Sequence, residues 1–300
     1  MTEVPITIPI TGDFDPKDTF ECGQCFRWEQ DEKNGYVGVV GDRVARIEVI
    51  ENDDEEKSLH IEEYGLKGDR VSGNDKEDFW HNYLDLGTDY CGIKAELIKE
   101  DPKMEEIILS GKGIHLLNQD PWETLISFII SQNNHIPRIK KCVESLCALF
   151  GEPLGFHFQK EHYGFPSPIK IASLTEADLA PIKLGYRLPY LLKAARMVVE
   201  DGESRLSSCN KKGKEEGLKY LLGFPGVGAK VANCMMLYGL GQRDSFPLDV
   251  WMKRIMHQLY GLPQDDTKAM ETFAREKFGV YGGIAQQYLF NYAIKKSIVK

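Results

Sequence analysis

The stretch from Leu221 to Arg254, LLGFPGVGAKVANCMMLYGLGQRDSFPLDVWMKR, constrains the fold more than any other. Two apolar, helix-patterned segments flank Gly223-Phe224-Pro225-Gly226-Val227-Gly228. A turn so short and glycine-rich predicts a tight hairpin between two helices, over about residues 214–240. The second helix starts near Ala229 and carries Lys230 in its first turn. A cation there faces the positive end of the helix dipole, which stability alone does not favour. Farther on, Pro247 holds the chain extended before the next helix, making Asp249 the candidate N-cap. An amine and a carboxylate are thereby presented from neighbouring helix starts.

The rest of the chain divides by pattern. From Ile6 to about Ile61, short β-branched and aromatic runs such as Tyr36–Val40 and Val44–Ile50, split by Asn34-Gly35 and Gly41-Asp42, read as hairpins of an antiparallel sheet. Asp75 to about Leu109 reads as helical scaffold, with Phe79, Trp80, Tyr83 and Leu84 at helical spacing. Trp122 to Phe150 is amphipathic but holds the polar cluster Ser131-Gln132-Asn133-Asn134-His135-Ile136-Pro137-Arg138, where Pro137 predicts a break or the first turn of a new helix. Leu184-Gly185-Tyr186-Arg187 links a helix around Thr175 to Lys183 with another around Pro189 to Asp201, and segments 265–278 and 284–298 complete the C-terminal part. The expected class is α+β. An N-terminal antiparallel β-domain with a helical linker (1–115) leads into a two-lobed, all-helical core (116–300).

Charge follows the same division. The chain carries −9, but residues 1–120 hold 29 acidic against 13 basic side chains, and residues 121–300 hold 17 against 24. A basic C-terminal part suits phosphate contact, whereas the acidic run Glu51 to Glu56 reads as a solvated loop. The cluster Lys211-Lys212-Gly213-Lys214 reads as solvated surface, with weak phosphate contact as the alternative. No apolar run approaches the roughly 20 residues of a membrane span and no basic-then-apolar leader opens the chain. The expectation is a soluble protein without a secretion signal, in a bacterial cytoplasm with the nucleoid or in a eukaryotic nucleus. Seven scattered cysteines point to reduced thiols, and the lone Cys22-Gly23-Gln24-Cys25 lacks the partners of a zinc site.

Five separated motifs carry a resemblance that spans nearly the whole chain. They are Gly23-Gln24-Cys25-Phe26-Arg27-Trp28, Ser131 to Arg138, Gly185-Tyr186-Arg187, the hairpin with Lys230 and Pro247-Leu248-Asp249, and Gly283-Ile284-Ala285-Gln286-Gln287-Tyr288-Leu289-Phe290. With them the chain resembles the 8-oxoguanine DNA glycosylase/AP lyases of the helix-hairpin-helix glycosylase superfamily.

The resemblance implies that Lys230 attacks C1′, expels the base and forms a Schiff base, from which loss of a 2′ proton and β-elimination cut the strand. To attack, the amine must shed its proton, which a helix N-terminus and desolvation favour. Asp249 would stabilise the oxocarbenium-like sugar or cap its helix towards phosphate.

Gly23 would offer its carbonyl to the N7 hydrogen that 8-oxoguanine has and guanine lacks. Gln286 and Phe290, four apart on one helix face, would read and stack the flipped purine, with Cys234 as the opposing surface. Tyr238 stands where the family has a methionine of this pocket, and Trp251 where a histidine contacts phosphate or pocket. Asn133 would enter the space left by the nucleotide, Arg138 and Arg187 contact the orphaned cytosine, and Tyr186 wedge the duplex. Gly226 and Gly228 would present amides to a backbone phosphate, with a cation bridging at hairpin carbonyls. No cofactor and no catalytic metal are implied, and no cysteine follows Cys234, so the four-cysteine iron-sulfur motif of other relatives is missing.

The implied partner of this monomer is duplex DNA with an oxidised guanine opposite cytosine, and no membrane. Three alternatives are an alkylpurine DNA glycosylase, against which Lys230 argues, a non-catalytic helix-hairpin-helix DNA-binding protein, and a zinc or redox protein built on Cys22 and Cys25.

Overall fold

Asn34 and Gly41 both take left-handed backbone conformations (φ +62° and +60°), which lets the N-terminal chain double back twice within a few residues. The computed structural model describes residues 5–51, 56–65 and 73–296. Most of the acidic run at 51–56 and the last two residues of the C-terminal helix predicted over 284–298 lie outside them. Strands β1 (Ile6–Pro9), β2 (Trp28–Gln30), β3 (Tyr36–Val40), β4 (Arg43–Glu51) and β5 (Lys57–Gly65) form one antiparallel sheet in the order β1-β5-β4-β3-β2. Ile47, Leu59 and Ile61 point to its inner face, where Phe20, Trp28, Trp80 and Leu84 cover them.

A short helix, α1 (Pro16–Glu21), interrupts the strand region, started by Asp15, whose carboxylate accepts from the Asp18 N–H at 2.8 Å. Phe20 of α1 stacks on Trp28 at 4.2 Å and 7°. Gly38 opposite has no room for a side chain, since a Cβ there would lie 2.4 Å from the Trp28 ring.

Helices α2 (Gly73–Tyr83), α3 (Tyr90–Glu100) and α4 (Met104–Leu109) follow. Next come α5 (Pro121–Ser131), α6 (Ile136–Phe150), α7 (Pro168–Ala172), α8 (Glu176–Leu179), α9 (Leu188–Asp201), α10 (Glu203–Ser208), α11 (Lys214–Leu222) and α12 (Ala229–Cys234). The C-terminal helices are α13 (Val250–Tyr260), α14 (Thr267–Phe278) and α15 (Gly282–Lys295). The chain returns on itself here, because α3 packs on α14 and α4 on α15. One large apolar core joins α3 to α15, with the largely apolar α5 running through it, while Trp80 and Tyr83 of α2 pack with the sheet. Among the described residues no helix is long and apolar enough to cross a membrane.

The core expected to be all-helical also contains a two-stranded hairpin, β6 (Pro153–His157) and β7 (Lys160–Tyr163). Its turn, Phe158-Gln159, takes positive φ at both residues without a glycine or asparagine, so the usual sequence signal is missing. Tertiary packing holds it instead: His157 stacks on Tyr64 of β5 at 4.2 Å, and Leu154 packs with Val39 and Val44.

The segment 113–119 stitches the sheet to the helices. Thr19 Oγ1 donates to the Gly113 carbonyl (3.0 Å), and Gln24 Nε2 donates to the His115 carbonyl (2.8 Å). The His115 ring is buried, stacks on Tyr90 at 3.9 Å and places Nδ1 3.2 Å from the Leu84 carbonyl. Burial holds this imidazole down at about 4. Its unfolded value is about 6.5, so its contribution to stability is complete above that pH and is lost as pH falls towards 4. The expected loss is up to about 3 kcal/mol, at about 1.4 kcal/mol per tenfold change in proton affinity. His115→Phe should flatten melting temperature against pH over this window, and a slope equal to the parent's would contradict this account.

Candidate active site and nucleic-acid interface

The hairpin forms between α11 and α12, and the chain continues from Cys234 into a π-helical turn, Met235–Gly239. Lys230 lies in the first turn of α12 and reaches back to the C-terminal end of α5. Its Nζ donates to Ser131 Oγ at 3.3 Å, and that hydroxyl donates to the Phe128 carbonyl at 2.8 Å. The same Nζ sits 4.9 Å from the centre of the Phe128 ring, an attraction of about 0.5–2 kcal/mol. Among the described residues Lys230 makes no salt bridge. A hydroxyl and a ring therefore hold the amine, and no carboxylate locks its charge. Neither Ser131 nor Phe128 stood out in the sequence as its partner, although their spacing of three places both on one helix face.

Asp249 caps α13, accepting from the Met252 N–H at 2.8 Å, after the buried Pro247. Cys234, one turn beyond Lys230, is buried, and burial pushes its thiol up to about 11 against the opposing field of Lys230. It is a neutral, polarizable surface.

The other wall comes from the N-terminal motif and α15. Gly23 has φ +84°, and a Cβ there would stand 3.0 Å from the Phe290 ring, so the glycine lets the backbone lie on that aromatic edge. Gln286 is 4% exposed, and its Oε1 has no hydrogen-bond partner. A buried amide oxygen left unpaired costs about 1–3 kcal/mol, which an incoming hydrogen-bond donor would recover. Tyr238 is also buried, but its hydroxyl is engaged by Gln287 at 2.6 Å. Its ring stacks at 5.4 Å on Phe128, whose ring also neighbours Lys230 Nζ. Cys22 and Cys25 are core thiols raised far from reactivity by burial, Cys22 to about 12, and Phe26 and Trp28 are buried in the packing.

The polar cluster after α5 turns sharply at Asn133 (φ +47°) and starts α6, with His135 as the N-cap that accepts from the Arg138 N–H. Asn133, Arg138 and Tyr186 are exposed, and Arg138 donates to the Lys183 carbonyl at 3.3 Å. Arg187 behaves differently. It is 5% exposed, and it donates from Nε to the Gln132 carbonyl (2.7 Å), from Nη2 to the Gln132 and Asn133 carbonyls, and from Nη1 to Leu184 (3.1 Å). It clamps the Asn133 turn and stacks on the Tyr186 ring at 4.5 Å. It does not display its donors to solvent.

At the hairpin, no hydrogen bond among the described residues uses the N–H of Gly226 or Gly228. Gly226 has φ +81°, and a Cβ would lie 2.4 Å from the Tyr190 ring. Gly226→Ala is therefore expected to cost about 1–3 kcal/mol in stability and to weaken duplex binding at least tenfold in fluorescence anisotropy. Parent-like affinity would contradict the assignment. Trp251 is exposed on the first turn of α13 beside Val250. Lys214 pairs with Asp244 at 2.9 Å, while Lys211 and Lys212 are exposed. Among the described residues, Glu48, His60 and Glu62 lie close enough to share a metal, but on the outer sheet face, where Arg46 already bonds Glu48 at 2.8 Å.

Comparison with known proteins converges on one family. Residues 7–125 match the model of the 8-oxoguanine DNA glycosylase N-terminal domain, and residues 126–279 that of the HhH-GPD superfamily of base excision DNA repair proteins. The N-glycosylase/DNA lyase of Saccharomyces cerevisiae is 31% identical over 90% of this chain and 81% of its own. The solved structure of MBOgg1 in complex with a low-affinity DNA ligand superposes with a TM-score of 0.88 at 40% identity, covering 99% of this chain and 98% of that one. The 8-oxoguanine glycosylase/lyase of Clostridium acetobutylicum, solved with duplex DNA containing cytosine opposite 8-oxoguanine, gives 0.84 at 36% identity, covering 96% and 94%.

Proposed function

The chain belongs to the HhH-GPD superfamily of base excision DNA repair proteins, and on that premise we propose that it is a bifunctional DNA glycosylase that excises 8-oxoguanine and cleaves the strand through a lysine Schiff base. The observation that carries this reading is an amine held by a hydroxyl and a ring, with no salt bridge among the described residues. In this reading Lys230, Cys234 and Asp249 form one side of the base site, and Gln286, whose buried amide oxygen has no partner, forms the other with Phe290 and Gly23.

A flipped purine entering that space would stack on Phe290, complete Gln286 through its Watson–Crick edge, and bring C1′ to the Lys230 amine. Attack by Nζ forms the C–N bond as the glycosidic bond breaks, with the base leaving on the electron pair and taking up a proton. The C1′–O4′ bond then opens, O4′ taking the proton that the nitrogen sheds, to give the iminium; water takes the 2′ proton that the iminium acidifies, and the electron pair expels the 3′ phosphate as the 3′ C–O bond breaks. Asp249 opposes the positive charge that develops on the sugar. Binding of the hairpin amides to phosphate, with a cation at their carbonyls, is part of the same proposal.

For the opposite strand, exposed Asn133, Arg138 and Tyr186 support a preference for cytosine, whose O2 and N3 accept from guanidinium donors. Arg187 joins them only by exchanging carbonyl partners. The test is single-turnover excision of 8-oxoguanine opposite each of the four bases. Cytosine should be favoured at least tenfold, and equal rates would remove the orphan-base assignment.

A further inference from the structure

The catalytic reading leaves one buried polar network unexplained. The Tyr238 hydroxyl donates to Gln287 Oε1 (2.6 Å), and Gln287, also fully buried, donates from Nε2 to the Cys22 carbonyl (2.7 Å). The main-chain carbonyl of Tyr238 accepts from the Gln119 N–H (3.0 Å), and Gln119 Nε2 donates to the Gln24 carbonyl (2.8 Å). One residue thus reaches both carbonyls that bracket Gly23. Gln24 is held as well, since its side chain bonds the Thr19 carbonyl (2.9 Å), the His115 carbonyl (2.8 Å) and the Leu117 N–H (2.9 Å).

Peptide units are planar, so fixing the units on either side leaves the Gly23 carbonyl only the torsions between them. Phe290 against Gly23 limits those further. No hydrogen bond among the described residues engages the Gly23 carbonyl. It is an immobilised acceptor left open.

We propose that Tyr238 and Gln287 are positioning residues for lesion specificity: their side chains act through the Cys22 carbonyl, while the Tyr238 main chain holds Gln24 through Gln119, and the Gly23 carbonyl between is aimed at the N7 hydrogen of an oxidised purine. This rests on the functional reading above. Guanine presents a lone pair at N7, so discrimination depends on where the carbonyl points, and a carbonyl free to rotate would soften both the attraction and the repulsion. The two residues work as a pair, because either alone would leave a buried polar group without a partner.

The test measures affinity for duplexes holding 8-oxoguanine or guanine opposite cytosine, in a Lys230→Gln background that binds without turnover. Tyr238→Phe should lower the ratio of the two affinities about tenfold, and Gln287→Leu should do the same. The double variant should be no worse than either, as expected for one chain of contacts. With Lys230 intact, the loss in excision of 8-oxoguanine should exceed the loss in cleavage of a preformed abasic site by about tenfold, because no base is read there. Should the single variants fold poorly, Tyr238→Met with Gln287→Leu removes both polar groups together and should show the same lowered ratio. An unchanged ratio in folded variants, or equal losses at both substrates, would overturn the proposal alone. A parent with no preference for 8-oxoguanine would overturn it together with the Gly23 reading.

Discussion

Lys230→Gln is expected to lower base release by about 10³-fold or more and to abolish strand cleavage, while duplex affinity stays within a few-fold of the parent. Glutamine is nearly as long as lysine and still donates, so it can keep the bond to Ser131 Oγ that places the side chain at the end of α5. What it cannot do is form a C–N bond to C1′. The amine's other neighbours point the same way. Phe128 offers a face and Ser131 a hydroxyl, neither of which neutralises a charge, so the lysine has no ion pair among the described residues to lose. Single-turnover kinetics on 8-oxoguanine duplex, with a gel readout of intact and cleaved strand, check this. Residual release near the parent rate would mean that water, not the lysine, attacks.

Asp249→Asn should separate two roles of one side chain. Asparagine equals aspartate as an N-cap, so the bond to the Met252 N–H survives and the melting temperature should move by no more than about 2 °C. The negative charge is lost, however, and with it the stabilisation of positive charge on the sugar. Removing one preorganised electrostatic group of this kind costs about 10²–10³-fold in rate. A large fall in melting temperature with little change in rate would reduce Asp249 to a cap.

Much of this was legible in the sequence because it is local. Gly226 and Gly228 mark the hairpin, Pro247 the extended approach to a capped helix, and Pro137 the break after α5, each through backbone rules that act within a few residues. The β6-β7 hairpin was not legible, since Phe158 and Gln159 adopt a conformation that their own preferences oppose and that packing against the sheet supports.

The site shows the same division. Motif spacing singled out Lys230, Asp249, Gln286 and Phe290 as candidates, but Ser131 and Phe128 meet Lys230 from about a hundred residues away. Arg187 shows the limit from the other direction: its motif implied a displayed donor, and the structure has it buried on the carbonyls of Gln132 and Asn133. Long-range pairing of this kind leaves no periodic trace.

The central claim is covalent chemistry by Lys230 on an oxidised guanine, and borohydride trapping on a duplex with one 8-oxoguanine opposite cytosine tests it most directly. The account predicts a protein–DNA adduct with the parent chain and none with Lys230→Gln. Base release without an adduct, or tight binding with neither, would contradict it.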